Sequence, residues 1–126
     1  MTANIFFGSQ EVAREIYKER VNPYSGNVVS KVAFCDENDA LKALKIAKAA
    51  SFESKKVTLA MRCDWLLDVA NKLEQNAEDM AMTITDEVGK PITFSRIEVR
   101  RCVETIRISA ETMRTMHGET DRKSVV

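Results

Sequence analysis

The sequence predicts an α+β segment in which a small antiparallel hairpin sheet near the amino terminus is followed by three or four helices, the last one long. Two β-branched runs flank a turn of sequence Asn-Pro-Tyr-Ser-Gly-Asn at residues 22–27. Apolar residues then recur in steps of three and four along most of the remaining chain. Gly89 and Pro91 lie either side of Lys90, so one helix should end and another begin within three residues.

The strand region is expected over residues 5–34. A short aromatic strand, Ile5–Val12, is interrupted at Gly8-Ser9, and the runs Ile16–Val21 and Val28–Phe34 form the hairpin. Asp36 is a good N-cap for a first helix at residues 37–51, because Asp39 follows it at the third helical position. One face of that helix carries Ala40, Leu41, Leu44, Ala47 and Ala50.

A polar connection, Phe52–Val57, leads to a second helix at residues 57–76. Its apolar residues are spaced by three and four, and a kink or a new helix is plausible at Asn76. The pattern continues over residues 77–88 until Gly89 ends it. The apolar positions of the second helix are Leu59, Cys63, Leu66, Ala70 and Leu73, widened by Trp65 and Leu67.

The last helix is expected over residues 91–117, with Pro91 in its first turn. Its apolar seam runs from Val99 to Met113. Beside the seam a stripe of alternating charge indicates a solvated face, formed by Arg100, Glu104, Arg107, Glu111 and Arg114. Arg101 lies off this stripe, where an arginine can face another domain or a ligand.

Composition excludes several classes of function. The 126 residues include 19 basic and 19 acidic side chains, so neither nucleic acid nor an anionic membrane is expected as a partner. The amino terminus has only a brief apolar run, which predicts a cytoplasmic protein without a signal peptide or a membrane span. Cys35, Cys63 and Cys102 are widely spaced and His117 is the one histidine, so no metal site or disulfide framework is expected.

Short motifs give no catalytic constellation. Gly89-Lys90 lacks the other glycine and the Ser or Thr of a phosphate-binding loop, and no Gly-x-Gly-x-x-Gly is present. The adjacent Asp86 and Glu87 point in different directions on a helix, so a solvated or capping role is favoured over acid–base chemistry. His117 is expected to complement a helix dipole, although it could titrate near neutral pH. Met113 and Met116 are expected to fill the core, although they could line a pocket.

The ordered set of turn, Glu-Val-Gly-Lys-Pro junction and long helix resembles the amino-terminal part of the aldehyde dehydrogenase superfamily over residues 1–120. The resemblance implies that the segment belongs to a larger α/β fold and packs beside its nucleotide-binding domain. It also implies NAD or NADP as cofactor of the complete enzyme. The family's catalytic cysteine, glutamate base and cofactor loops match nothing here, so no catalytic or cofactor-binding residue is expected and the chain by itself should be inert.

One site residue is implied by the resemblance. Glu98-Val99-Arg100-Arg101 resembles the Glu-Val-x-Arg of the non-phosphorylating glyceraldehyde-3-phosphate dehydrogenase and lactaldehyde dehydrogenase branch. In the glyceraldehyde-3-phosphate dehydrogenases the arginine matching Arg101 contacts the substrate phosphate, which suits a planar guanidinium, and related lactaldehyde-type members share the arginine. An ion pair between domains or simple packing are the alternatives for Arg101.

The partners expected are the remainder of a dehydrogenase chain or a second copy of this one. Residues 121–126 depart from the family pattern as a polar tail, which is expected from a truncation or a shifted reading frame, with a natural stop as the alternative. A different class of function is a non-enzymatic helical interaction module that uses the Val99–Met113 seam.

Overall fold

The computed structural model describes residues 1–116 and consists of a strand unit followed by four helices. His117 and the tail at residues 121–126 lie outside the described residues. The strands are β1 (Thr2–Ala3), β2 (Ile5–Phe7), β3 (Gln10–Val12), β4 (Tyr17–Val21) and β5 (Val28–Ala33). The helices are α1 (Glu37–Ser54), α2 (Leu59–Gln75), α3 (Ala77–Val88) and α4 (Ile92–Thr115).

The strand unit contains two small sheets. β2 and β3 form an antiparallel pair around Gly8, while β4 and β5 form the antiparallel hairpin predicted from sequence. β1 pairs in parallel with β5, so the three-stranded sheet β1-β5-β4 is mixed rather than purely antiparallel. A strand of two residues has no alternation for a sequence pattern to detect, which is why β1 was not predicted.

The turn between β4 and β5 is held by one asparagine side chain. Asn22 Oδ1 accepts hydrogen bonds from the backbone N–H groups of Tyr24 (2.9 Å) and Ser25 (3.0 Å). Gly26 adopts a φ of 73°, and its N–H donates to the Asn22 carbonyl at 2.8 Å. These bonds fix the turn geometry at the point where it meets the helices.

Capping side chains set the starts of α1 and α2, and α1 is longer than predicted. Asp36 and Asp39 form the reciprocal capping box of α1. α1 continues through Phe52–Ser54, which were predicted as a connection, because no glycine or proline interrupts it there. α2 begins at residue 59 rather than 57, since Thr58 Oγ1 accepts the Met61 N–H at 3.3 Å as an N-cap.

Asn76 separates α2 from α3 with a backbone conformation outside the helical region, so a new helix begins there instead of a kink. α3 ends at Gly89, which adopts a φ of 70°. Pro91 lies at the cap position of α4 rather than within its first turn. α4 then ends at Thr115, two residues before the predicted end.

The core lies between α2 and α4, with α3 packed beside α4. Small residues allow these helices to approach closely, and the Cys63 thiol donates to the Ala110 carbonyl at 3.4 Å. The buried residues of the three helices are Cys63, Ala70, Ala81, Ser95, Val99, Val103 and Ala110. The Val99–Met113 seam therefore packs largely inside the chain. Within residues 1–116, no helix is both long and apolar enough to cross a membrane.

Candidate functional site

Two motifs that are distant in sequence meet at the corner between α3 and α4. A Cβ atom at Gly89 would lie 2.8 Å from Pro23 Cγ and 3.3 Å from the Tyr24 backbone nitrogen. Glycine is therefore required at position 89 for two reasons, the positive φ and the closeness of the β4–β5 turn. The corner fixes where Lys90 and the first turn of α4 lie relative to the strands.

Two hydroxyl groups reinforce the corner. The Thr85 and Ser95 hydroxyls are 2.8 Å apart and join α3 to α4, and Ser95 is fully buried. The Ser30 hydroxyl of β5 donates to Glu87 Oε1 at 3.0 Å. Glu87 thus has a structural partner on the sheet, while neighbouring Asp86 is exposed. Asp86 and Glu87 are therefore not arranged for acid–base chemistry.

A groove of about 510 Å³ follows the exposed side of α4. Lys90 forms an ion pair with Glu98, which neutralises the cation at one end of the groove. Arg101 is exposed, and among residues 1–116 its guanidinium has no hydrogen-bond or ion-pair partner. The groove therefore presents one uncompensated positive charge next to apolar side chains. Its lining is completed by Phe94, Ile97, Cys102 and Thr105.

The charged stripe of α4 is only partly the solvated face that the spacing predicted. Arg107 donates to Glu74 of α2 through Nη2 (2.6 Å) and Nη1 (3.2 Å), so it links two helices. Arg96 similarly donates to Glu78 of α3, through Nε (2.9 Å) and Nη2 (2.5 Å). These hydrogen bonds lower the pKa of the Glu74 and Glu78 carboxyls below their usual range.

The other candidate residues do not assemble into a site. Cys63 is buried and Cys35 and Cys102 are exposed, all as free thiols. Within the described residues no cluster of three or more His, Cys, Asp or Glu side chains could hold a metal ion. Met113 is half-buried, whereas Met116 is 65% exposed, so the prediction that Met116 fills the core is wrong. Met116 follows the last helical residue, where no element of residues 1–116 covers it.

None of the described glycines forms a backbone cradle that could bind the pyrophosphate of a dinucleotide cofactor. The position of a Cβ at Gly89 is filled by Pro23, so no ligand could approach the backbone there. Gly8 and Gly26 have open space beside them, but each lies in a strand turn away from any helix N-terminus.

Comparison with known proteins then identifies the family. The model of the aldehyde dehydrogenase family matches residues 6–125. The chain belongs to the aldehyde dehydrogenase family. It is 34% identical over 99 residues to a lactaldehyde dehydrogenase from Methanococcus aeolicus, and the match covers 79% of this chain and 21% of that protein. The predicted family and fold class are thereby confirmed.

Solved aldehyde dehydrogenase structures agree with the arrangement described above. An NADP-dependent glyceraldehyde-3-phosphate dehydrogenase from Bacillus halodurans, in complex with NADP, superposes with a TM-score of 0.93 at 26% identity over 98% of this chain. Aldehyde dehydrogenase 21 from Physcomitrella patens, in complex with the reaction product succinate, gives 0.91 at 29% identity over 99% of this chain. This chain spans 26% of the length of each of these two proteins.

Sequence reasoning missed the side chains that give this aldehyde dehydrogenase segment its polar contacts. The spacing of Lys90 and Glu98 in the sequence does not distinguish an ion pair in the groove from two separate, solvated charges. Arg14 and Asp39 form a bidentate ion pair between the strand unit and α1 that was not predicted either. The capping role of Asp39 was the one available signal, and it indicated a helix start rather than a partner.

Proposed function

We propose that this chain is the amino-terminal part of an NAD(P)-dependent aldehyde dehydrogenase, an oxidoreductase that converts an aldehyde to an acid. The observation that carries the proposal is the family match over residues 6–125, supported by superposition on solved aldehyde dehydrogenases. The cofactor is NAD or NADP, bound by parts of the enzyme outside the described residues. The exposed apolar faces of the helices pack on the remainder of the enzyme or on a second copy.

Within this function we propose that Arg101 binds an anionic group of the substrate. Its guanidinium is exposed in the α4 groove without a partner among residues 1–116, whereas the nearby Lys90 is already paired with Glu98. A planar guanidinium can donate two hydrogen bonds to a phosphate or a carboxylate. Two of the similar proteins support an anionic substrate, since one acts on glyceraldehyde 3-phosphate and the other was solved in complex with its reaction product succinate.

A segment exchange tests both parts of the proposal. The matching segment of the Methanococcus aeolicus lactaldehyde dehydrogenase would be replaced by this one, and kcat and KM measured with glyceraldehyde 3-phosphate and with uncharged glyceraldehyde. A folded chimera should retain aldehyde-dependent reduction of NAD(P). A folded but inactive chimera would contradict the proposed function.

Arg101→Gln in the chimera should raise KM for the phosphorylated aldehyde by about tenfold, because one charge-assisted hydrogen bond contributes about 1.5–3 kcal/mol. KM for glyceraldehyde should change little. Arg100→Gln is the matched control, since Arg100 lines a different groove on another side of α4. Equal effects of the two substitutions would exclude a direct role for Arg101. The 126-residue chain alone is expected to show no aldehyde-dependent NAD(P) reduction.

The helical interaction module is not favoured by the structure. Its proposed docking seam includes Val99, Val103 and Ala110, which are at most 5% exposed because α2 and α3 already pack against α4. A partner helix could reach them only by displacing α2 or α3.

A further inference from the structure

Helix α1 is attached to the rest of the molecule with very little apolar burial. Asp39 is the only buried residue of α1. The predicted apolar face is exposed, with Leu41 at 49% and Leu44 at 66%, and Phe52, in the unpredicted last turn, is 60% exposed. The main contact of α1 is with strand β2 rather than with the helices α2–α4. The hydrophobic effect therefore contributes little to the position of this helix.

Four side chains supply the attachment at the amino-terminal end of α1. Arg14 donates to both carboxylate oxygens of Asp39, through Nε at 2.9 Å and through Nη2. The ring of Phe7, itself buried, faces two cations, with Lys42 Nζ 4.4 Å and Arg14 Cζ 5.7 Å from its centroid. Both distances are within the range of a cation–π interaction. Phe7, Arg14, Asp39 and Lys42 are called the Arg14 cluster below.

The Arg14 cluster joins three separate parts of the chain. Phe7 belongs to β2, Arg14 to the connection between β3 and β4, and the other two residues to the first turns of α1. All of its contacts lie at the amino-terminal end of α1, and the rest of the helix extends from that end with mostly exposed side chains. At the other end of α1 the Ser54 carbonyl accepts a hydrogen bond from Arg62 Nη2 of α2, which keeps the last turn next to α2. With only that contact left, the rest of α1 can move as a unit while the α2–α4 core stays folded.

We propose that the Arg14 cluster is a releasable attachment that fixes the direction of α1, and that loss of the Arg14–Asp39 pair frees the helix up to its last turn without unfolding α2–α4. The role of the Arg14 cluster in positioning α1 does not depend on whether the groove at Arg101 binds substrate. The Arg14 cluster holds the exposed side chains of Leu41, Leu44 and Phe52 in one orientation relative to the strands.

Distances between spin labels on the 126-residue chain test this. One label is placed at Lys48→Cys in α1 and the other on native Cys102 of α4, with Cys35→Ser; buried Cys63 is left unlabelled. A second pair, Asp64→Cys with Cys102, reports on α2 relative to α4. Arg14→Met should broaden the α1–α4 distance distribution and remove its single maximum, while the α2–α4 distance is unchanged.

Lys56→Met is the matched control, because Lys56 forms an exposed ion pair with Glu53 at the other end of α1. It should leave both distances as they are. Lys42→Met removes one cation from the Phe7 ring and should broaden the α1–α4 distance less than Arg14→Met. The proposal is overturned if Arg14→Met gives the same α1–α4 distribution as Lys56→Met, or if it broadens the α2–α4 distance equally.

Discussion

Single residues carry constraints here that their chemical type does not reveal. Gly26 and Gly89 have nearly the same φ, 73° and 70°, yet a side chain at Gly26 would meet open space and one at Gly89 would meet Pro23. Asp39 is likewise an ordinary capping residue by sequence, but it is buried and paired with Arg14. The neighbours brought by the fold therefore decide what each residue contributes.

Gly89→Ala should destabilise the chain more than Gly26→Ala. Both substitutions force a non-glycine residue into the left-handed region, which costs about 1–2 kcal/mol. Only Gly89→Ala also creates a 2.8 Å contact with Pro23, for which overpacking adds about 1–3 kcal/mol. Urea unfolding followed by circular dichroism measures both variants. Equal losses of stability would show that the β4–β5 turn can move away from the α3–α4 corner without a loss in the free energy of unfolding.

The Arg14–Asp39 pair predicts a loss of stability in acid. The hydrogen bond from Arg14 lowers the pKa of Asp39 below its usual value of 3.8. Its stabilising contribution is therefore complete above about pH 4 and is lost as the pH falls through the lowered pKa. Urea midpoints of the parent chain and of Asp39→Asn should differ at pH 6 and converge as the pH falls below about 4. Asp64→Asn, at an exposed position, is the control and should show no such convergence.

Arg101 illustrates how far the sequence could predict the candidate site. Its position off the charged stripe and its resemblance to a family arginine singled it out. The ion pair that neutralises Lys90, and the absence of a partner for the Arg101 guanidinium among residues 1–116, depend on side-chain placement, which spacing along α4 does not determine.

At the scale of elements, caps and apolar periodicity define four helices, and the helix ends follow local chemistry. Thr58, Asn76 and Gly89 each mark a boundary that the structure shows. The end of α1 was predicted too early because a polar run without glycine or proline is equally compatible with a helix. Periodicity also could not show that the face of Leu41 and Leu44 is uncovered, since it indicates which side is apolar and not what packs on it.

Thr58→Ala should lower stability by about 1 kcal/mol, because it removes the side chain that accepts the Met61 N–H at the start of α2. Thr93→Ala is the matched control. Thr93 is an exposed threonine in the first turn of α4 and is not the N-cap, so its replacement should be neutral or slightly stabilising. Thermal unfolding of both variants measures the difference, and equal effects would mean that α2 does not depend on this cap.

At the scale of the whole molecule, the small core between α2 and α4 leaves much apolar surface uncovered. Met61, Trp65 and Val69 lie one turn apart on α2 and are each about half exposed, at 47%, 56% and 46%. The parallel pairing of β1 with β5 also belongs to this scale, since no local pattern predicts which distant strands meet. Large exposed apolar patches usually mark a surface that is covered by another part of an assembly.

The chain should associate with itself in a concentration-dependent way through this stripe of α2. Sedimentation velocity over a range of concentrations should show a rising average mass, and Trp65→Gln should reduce it because the largest apolar side chain of the stripe is lost. Tyr24→Gln changes an even more exposed aromatic residue, 91% exposed at the β4–β5 turn, and should have no effect. A parent chain that stays monomeric throughout would refute the prediction.

The closeness of Pro23 to Gly89 also has a consequence for the order of folding. The helices α2, α3 and α4 are joined by connections of one to three residues, so their contacts form with little loss of chain entropy. The turn at Pro23 can reach the corner only after the long segment through α1 has closed. The strands therefore join the helices late in folding, and weakening their contact should accelerate unfolding while leaving the folding rate nearly unchanged.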